Sequence, residues 1–265
     1  MTMPPAALAF DTLAVDFDSR FGSWASVAAQ RRAVRASLEQ TFPAGARLIE
    51  IGGGTGEDAR WLASRGRDVT LTDASPAMVG QATAKLADMP NARAVVALAE
   101  QIENLAGDGA IFDGAYSNFA ALNCVGDLAS FARGLARLLP LGAPALLVVF
   151  GTACPGEMIV EALRGRPRNV LRRFARGEVS ARLNGRSFTV RYHRAAELRR
   201  AMAPWFQLQR RLGIGIWVPP SAAEPWISRH PRLLRLQERL DRASSRPLAS
   251  FGDHVLYHFV RTNAP

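Results

Sequence analysis

Glu50, the glycines at 52, 54 and 56, and Asp73 are the residues whose types and spacing most clearly suit chemistry in this chain. Glycines at alternate positions remove β-carbons from a turn, so backbone amides can approach a ligand closely and a positive φ carries little steric penalty. An ionised carboxylate only accepts hydrogen bonds, so Asp73, seventeen residues past Gly56 at the end of an apolar run, suits a pair of ribose hydroxyls. A dinucleotide fingerprint would read G-x-G-x-x-G, with a helix dipole aimed at pyrophosphate. The spacing here is G-x-G-x-G, with an acid two residues before the first glycine.

Further along, Asn118 and Asn123 each combine a donor with an acceptor and can orient a ligand. His193 follows an alternating segment, Ser187 to His193, and is the histidine best suited to act as a general base. Each residue also has a structural reading: the asparagines as turn or cap residues, and His193 as a hydrogen-bonded surface imidazole. The only cysteines, Cys124 and Cys154, have neither disulfide nor zinc spacing and read as buried thiols.

The elements that must hold these groups alternate. Strands are expected over 47–51, 68–72, 93–98, 111–117 and 144–150, with helices over 57–65, 76–87 and 127–139. Ser75-Pro76 supplies an N-cap and a first-position proline for the second helix. Strands separated by single helices pair in parallel, with helices on both faces, and bind ligands beyond their carboxyl ends. Before this core, residues 6–40 show helical apolar spacing and read as two helices carrying Phe10, Phe17, Phe21 and Trp24. After Gly151 the alternation stops. One or two Arg-rich helices over 156–176, interrupted at Pro167, precede a short strand ending at His193. A helix over 195–202, a strand over 206–217, a helix over 230–243 and a last strand over 253–261 follow.

The motif Glu50-x-Gly52-x-Gly54-x-Gly56 followed by Asp73 resembles the first two motifs of class I S-adenosylmethionine-dependent methyltransferases, over roughly residues 45–150. The resemblance implies a single α/β domain with a Rossmann-like, doubly wound, mostly parallel seven-stranded sheet whose last two strands form a reversed hairpin. It implies a helical N-terminal lid over 1–44, a cofactor-binding core over 45–150, and insertions at 151–193 and 216–250 that cap the substrate. Its cofactor is S-adenosyl-L-methionine. The cofactor would lie against Glu50, Gly52, Gly53, Gly54 and Gly56, with its ribose on Asp73 and its adenine near Ala74 and Met78. Ala99, Glu100 and Gln101 would complete that side, and Ser117 and Asn118 would begin the substrate-facing loop. Asn123 and His193 are the candidate catalytic side chains; no metal cluster is expected.

Enzymes of this family that methylate base amines carry Asn/Asp/Ser-Pro-Pro-aromatic after the fourth strand. Ser117-Asn118-Phe119-Ala120 has neither proline, which argues against N-methylation of nucleic-acid bases. The expected reaction is therefore O- or N-methylation of a small-molecule intermediate in the cytoplasm. Methylation of RNA or a lipid head group, and cofactor binding without catalysis, stand as alternatives. The charge is unevenly spread: residues 1–150 carry 12 basic against 15 acidic side chains, and residues 151–265 carry 21 against 8. Such a basic half suits an anionic acceptor, or, through Arg164, Arg166, Arg168, Arg172, Arg173 and Arg176 on an amphipathic helix, peripheral contact with an acidic membrane. No run of about 18 apolar residues indicates a transmembrane segment, and the N-terminus does not read as a signal peptide.

Overall fold

The computed structural model describes residues 3–108 and 111–263. Three helices lead the chain, α1 (Pro5–Asp11), α2 (Phe17–Phe21) and α3 (Ala25–Thr41), where the apolar spacing had suggested two. The core follows as β1 (Arg47–Ile51), α4 (Glu57–Ala63), β2 (Asp68–Asp73), α5 (Pro76–Lys85), β3 (Ala92–Val96), β4 (Gly114–Ser117), α6 (Leu128–Leu138) and β5 (Pro144–Phe150). A 3₁₀ run, Ala99–Asp108, takes the place of a helix between β3 and β4.

Local chemistry starts each core helix. Gly56 adopts φ +83° as the N-cap of α4, a backbone state that suits glycine, and Glu57 and Asp58 occupy the first turn, where the helix dipole favours anions. Ser75 Oγ accepts from Met78 N at 3.1 Å ahead of Pro76 to cap α5. Asp127 Oδ1 accepts from Ala129 N and Ser130 N at 3.0 Å to cap α6.

The rest of the chain comprises α7 (Pro155–Leu163), α8 (Pro167–Val170), β6 (Glu178–Leu183), β7 (Arg186–Arg191), α9 (Ala195–Met202), β8 (Phe206–Ile214), α10 (Pro231–Ser244) and β9 (His254–Arg261). The main sheet has seven strands in the order β3-β2-β1-β4-β5-β9-β8; β9 runs antiparallel to both its neighbours. This is the expected doubly wound, mostly parallel sheet with a reversed final hairpin. Strand alternation sends Leu48 and Tyr116 to a layer with α3, α4 and α5, and Ile49, Ile51 and Ala115 to a layer with α6 and α9.

Two further expectations change. β6 pairs with β7 as a separate hairpin, although only its second strand was expected. Its turn is Asn184-Gly185, both at positive φ (49° and 80°), the dipeptide signal of a two-residue hairpin. The arginine run is not one amphipathic helix: it breaks into α8 and a 3₁₀ turn at Arg172–Phe174, which buries Arg173. Pro167 opens α8 rather than interrupting a longer helix, because its fixed φ and missing N–H suit a first turn.

Candidate functional site

The strand order reverses between β1 and β4, and their carboxyl ends open a crevice there. A cavity of about 500 Å³ occupies it, within the size range of small-molecule sites. Its floor is the loop after β1. A β-carbon at Gly52, where φ is +66°, would lie 2.3 Å from Ala121 Cβ. One at Gly53 would lie 2.5 Å from the Leu71 side chain and 2.7 Å from Glu50 Cδ. Gly54, at φ +57°, has open space where its β-carbon would be, so its backbone faces the cavity bare.

Asp73 closes the loop from the neighbouring strand. Its Oδ2 accepts from Gly54 N and its Oδ1 from Ser75 N, both at 2.9 Å. Burial raises its pKa against the lowering effect of those amides. Glu50 is buried at the end of β1, and its Oε2 has no hydrogen-bond partner among the described residues. Burial, then the charge of Asp58, pushes the Glu50 carboxyl well above the usual carboxylate range. A bare glycine cradle, an unpartnered buried carboxylate oxygen and an acid fixed by two amides fit a nucleoside with a polar tail. That is the donor and acceptor set which S-adenosylmethionine needs.

Beneath the loop, buried Asp58 gathers three partners: Arg31 Nη1 at 2.7 Å, Arg35 Nε at 2.7 Å and Asn118 Nδ2 at 2.8 Å. Phe119 and Ala120 follow Asn118 at φ 49° and 61°, a conformation that strains residues with a β-carbon. The Arg31 guanidinium lies 4.5 Å from the Phe119 ring centroid. Charge pairing and a cation–π contact thus hold the strained loop open at the crevice.

The N-terminal helices form the roof. Phe10, Phe17, Phe21 and Trp24 all line the cavity. Asp11 Oδ1 pins the segment to the start of α5, accepting from Ser75 Oγ at 2.8 Å and Ala77 N at 2.9 Å. Asp18 adds Thr55 Oγ1 at 2.7 Å and Lys85 Nζ at 2.5 Å. The opposite wall comes from β5 and the small hairpin, with Phe150, Phe188, Val190 and Tyr192.

Of the residues expected from the sequence, Glu50, Gly52, Gly53, Gly54, Asp73, Ala74, Met78, Ala99, Glu100 and Asn118 line this cavity. Gly56, Gln101, Ser117, Asn123 and His193 do not. Gly56 packs on Ala82, Gln101 is exposed at a kink, and Ser117 Oγ donates to Ile51 O behind the wall. Asn123 braces two segments: its Oδ1 accepts from Phe150 N at 3.0 Å and its Nδ2 donates to Arg191 O at 2.5 Å. His193 is buried with Nε2 3.2 Å from Leu122 O, and burial lowers its pKa. In extended chain, neighbours point to opposite sides, so a Tyr192 that faces the cavity turns His193 away from it. The general-base role expected for His193, and the ligand-orienting role expected for Asn123, therefore lack the required placement.

Sequence reading missed Arg31, Asp58, Arg172 and the Phe188/Val190/Tyr192 face. The last was legible as period-two alternation. Cys124 opens onto the cavity instead of being fully buried; burial, then Asp73, pushes its thiol up to about 11, so it stays protonated at neutral pH. Among the described residues, no three His, Cys, Asp or Glu side chains gather to hold a metal, and no helix is long and apolar enough to cross a membrane.

Residues 48–142, which contain the glycine loop and Asp73, match the family model described as a methyltransferase domain. No curated protein matches the chain. Among solved structures, a TehB-like S-adenosylmethionine-dependent methyltransferase from Corynebacterium glutamicum aligns over 95% of this chain and 99% of its own, at 15% identity and TM-score 0.56. An S-adenosylmethionine-dependent methyltransferase from Mesorhizobium loti aligns over 88% and 98%, at 19% identity and TM-score 0.55. A geranyl diphosphate C-methyltransferase from Streptomyces coelicolor A3(2), solved with Mg2+, geranyl diphosphate and S-adenosyl-L-homocysteine, aligns over 87% and 81%, at 14% identity and TM-score 0.53. At such identities the likeness carries the fold, and the domain match falls on the same loop and acid that shape the crevice. Over residues 48–142 the chain thus matches a methyltransferase domain, and its fold is the one shared by the S-adenosylmethionine-dependent methyltransferases it aligns with.

Proposed function

We propose that this enzyme transfers the methyl group of S-adenosylmethionine to an oxygen or nitrogen of a small molecule held in the β1/β4 cavity, in the cytoplasm. The observation that carries this reading is the cavity itself: a polar floor of glycine amides and carboxylates facing a roof and wall of aromatic side chains. Glu50, Gly52, Gly53, Gly54 and Asp73 hold the cofactor's polar ends, with Ala74, Met78, Ala99 and Glu100 beside its base. When bound, S-adenosylmethionine supplies a methyl group on a sulfonium leaving group.

With the leaving group already supplied, the protein's part is to align the acceptor and exclude water. Asn118 and the strained Phe119-Ala120 turn set the floor on the acceptor side. Phe10, Phe17, Phe21 and Trp24 cover it, and residues 151–193 supply the far wall as a substrate cap, while residues 216–250 extend the same cap. Among the described residues no imidazole lines the cavity, so the acceptor's own acidity or a water relay takes the place of a histidine base. Two free cysteines suit a reducing compartment.

A cavity of this size under an aromatic roof favours a small acceptor over RNA, whose backbone needs an open basic groove. Incubation with methyl-labelled S-adenosylmethionine and a cell extract tests the reading. Label should appear in the small-molecule fraction with equimolar S-adenosylhomocysteine. Label confined to RNA or to extracted lipid would refute the acceptor class, and no turnover with any fraction would favour a binding protein.

A further inference from the structure

We propose that the methyl acceptor is an anion, a carboxylate or a phosphate on an aromatic or aliphatic body, and that Arg172 is the residue that selects it. The inference rests on the methyl-transfer reading of the same cavity and adds the acceptor's chemical class. It comes from how charge is sorted along the cavity wall. Glu50, Glu57, Asp58, Asp73 and Glu100 supply all the acidic lining residues, and every one belongs to the cofactor half of the chain. From Asn118 onward the charged lining residues are Arg172 and Arg182. The third lining arginine, Arg31, is already paired with Asp58.

Arg172 is built to present a fork. Its Nε donates to Glu157 Oε1 at 2.7 Å, which fixes the plane of the guanidinium. Its terminal nitrogens have no hydrogen-bond partner among the described residues, and the side chain stays 44% exposed. Glu157 is itself anchored, since its other oxygen takes buried Arg173, which also binds Asp253 Oδ1 at 2.6 Å. A guanidinium held by Nε with both ends free matches the bidentate geometry of a carboxylate or phosphate.

Around it the wall is apolar. Phe150 and Tyr192 line the cavity, with the Arg173 guanidinium 5.1 and 5.8 Å from their ring centroids. A neutral acceptor filling this space would strip water from Arg172 and return at most an uncharged hydrogen bond in place of a charge-assisted bidentate pair, an unfavourable exchange. An anion with an apolar body satisfies both surfaces at once.

The test uses the full chain saturated with S-adenosylhomocysteine and three probes of one shape: 1-naphthoate, 1-naphthyl phosphate and neutral 1-naphthamide. Calorimetry should show at least one anion binding tighter than the amide by about tenfold or more, as expected for a charge-assisted pair. Whichever anion is tighter tells carboxylate from phosphate. Arg172→Gln should remove the preference and Arg172→Lys should restore part of it, with S-adenosylhomocysteine affinity the same in all three proteins. Equal binding of amide and anions, no binding of either anion, or a preference that survives Arg172→Gln would overturn the proposal while leaving methyl transfer intact. Failure of S-adenosylhomocysteine to bind would instead sink the reading beneath it.

Discussion

The backbone amide of Gly54 donates to Asp73 Oδ2 over 2.9 Å, so the glycine loop after one strand is locked to the acid that ends the next. Ser75 N takes the other oxygen, and each oxygen keeps a lone pair for a ligand hydroxyl. Asp73→Ala should therefore weaken S-adenosylhomocysteine binding by about 1–3 kcal/mol, through lost charge-assisted bonds and a released loop. Calorimetry giving unchanged affinity would remove Asp73 from the cofactor site.

The floor tolerates no side chain at two of its glycines. Alanine at 53 would press on Leu71 and Glu50, and alanine at 52 would meet Ala121 while holding a positive φ. Each substitution should destabilise the fold by about 1–3 kcal/mol, the usual result of overpacking. Urea melts should show both midpoints falling, whereas Gly142→Ala, at φ +84° with open space around it, serves as the control for backbone strain alone.

Glu50 places binding and stability in opposition. Its buried carboxyl, whose Oε2 has no hydrogen-bond partner among the described residues, has a raised pKa in the folded state, so the native protein takes up a proton more readily than the unfolded chain. Its ionisation therefore opposes folding above the ordinary glutamate range, and that penalty is relieved as pH falls through the raised value. Glu50→Gln should be as stable as the parent or more stable at pH 8, with the difference shrinking toward about pH 4, yet bind the cofactor less well. A variant clearly less stable than the parent at pH 8 would contradict this account.

Arg173, Glu157 and Asp253 show the opposite sign. Arg173 is buried between the two carboxylates, and despite burial the His254 and Arg173 charges hold Asp253 far below the usual carboxylate range. The stabilisation from Asp253 is present above its unfolded pKa of about 4 and drains away as pH falls below it toward the depressed folded value. Arg173→Met should cost about 3–5 kcal/mol at pH 7, because two buried carboxylates each lose the buried cation between them. Denaturation curves from pH 7 to pH 2 should show that cost shrinking in acid; a constant difference would mean that the arginine acts through packing alone.

His193 Nε2 lies 3.2 Å from Leu122 O and donates to it when that nitrogen carries the proton, and its ring lies off the cavity. His193→Gln can still donate to that carbonyl, so turnover should keep its pH dependence. Because burial lowers the His193 pKa, loss in the variant of a limb lying below the ordinary histidine value of about 6.5 would return the residue to a catalytic role.

Much of this protein was settled by local chemistry that any reader of the chain can follow. Alternating glycines need a turn, the apolar runs flanking them need a sheet, and Ser75-Pro76 and Asp127 mark where helices start. These signals act over a few residues and survive translation into structure. The hairpin turn at Asn184-Gly185 belongs with them, legible though unread.

What only the tertiary structure decided involves partners far apart in the chain. Nothing local to the arginine run shows that Arg173 is buried while Arg172 reaches the cavity, because the partners that distinguish them stand at Glu157 and Asp253. Likewise, the fate of His193 turned on a carbonyl 71 residues away, and that of Asp58 on arginines in a helix preceding the sheet. Sequence spacing sets which residue types are available along an element. Packing between elements decides which of those side chains face a ligand and which are held by one another.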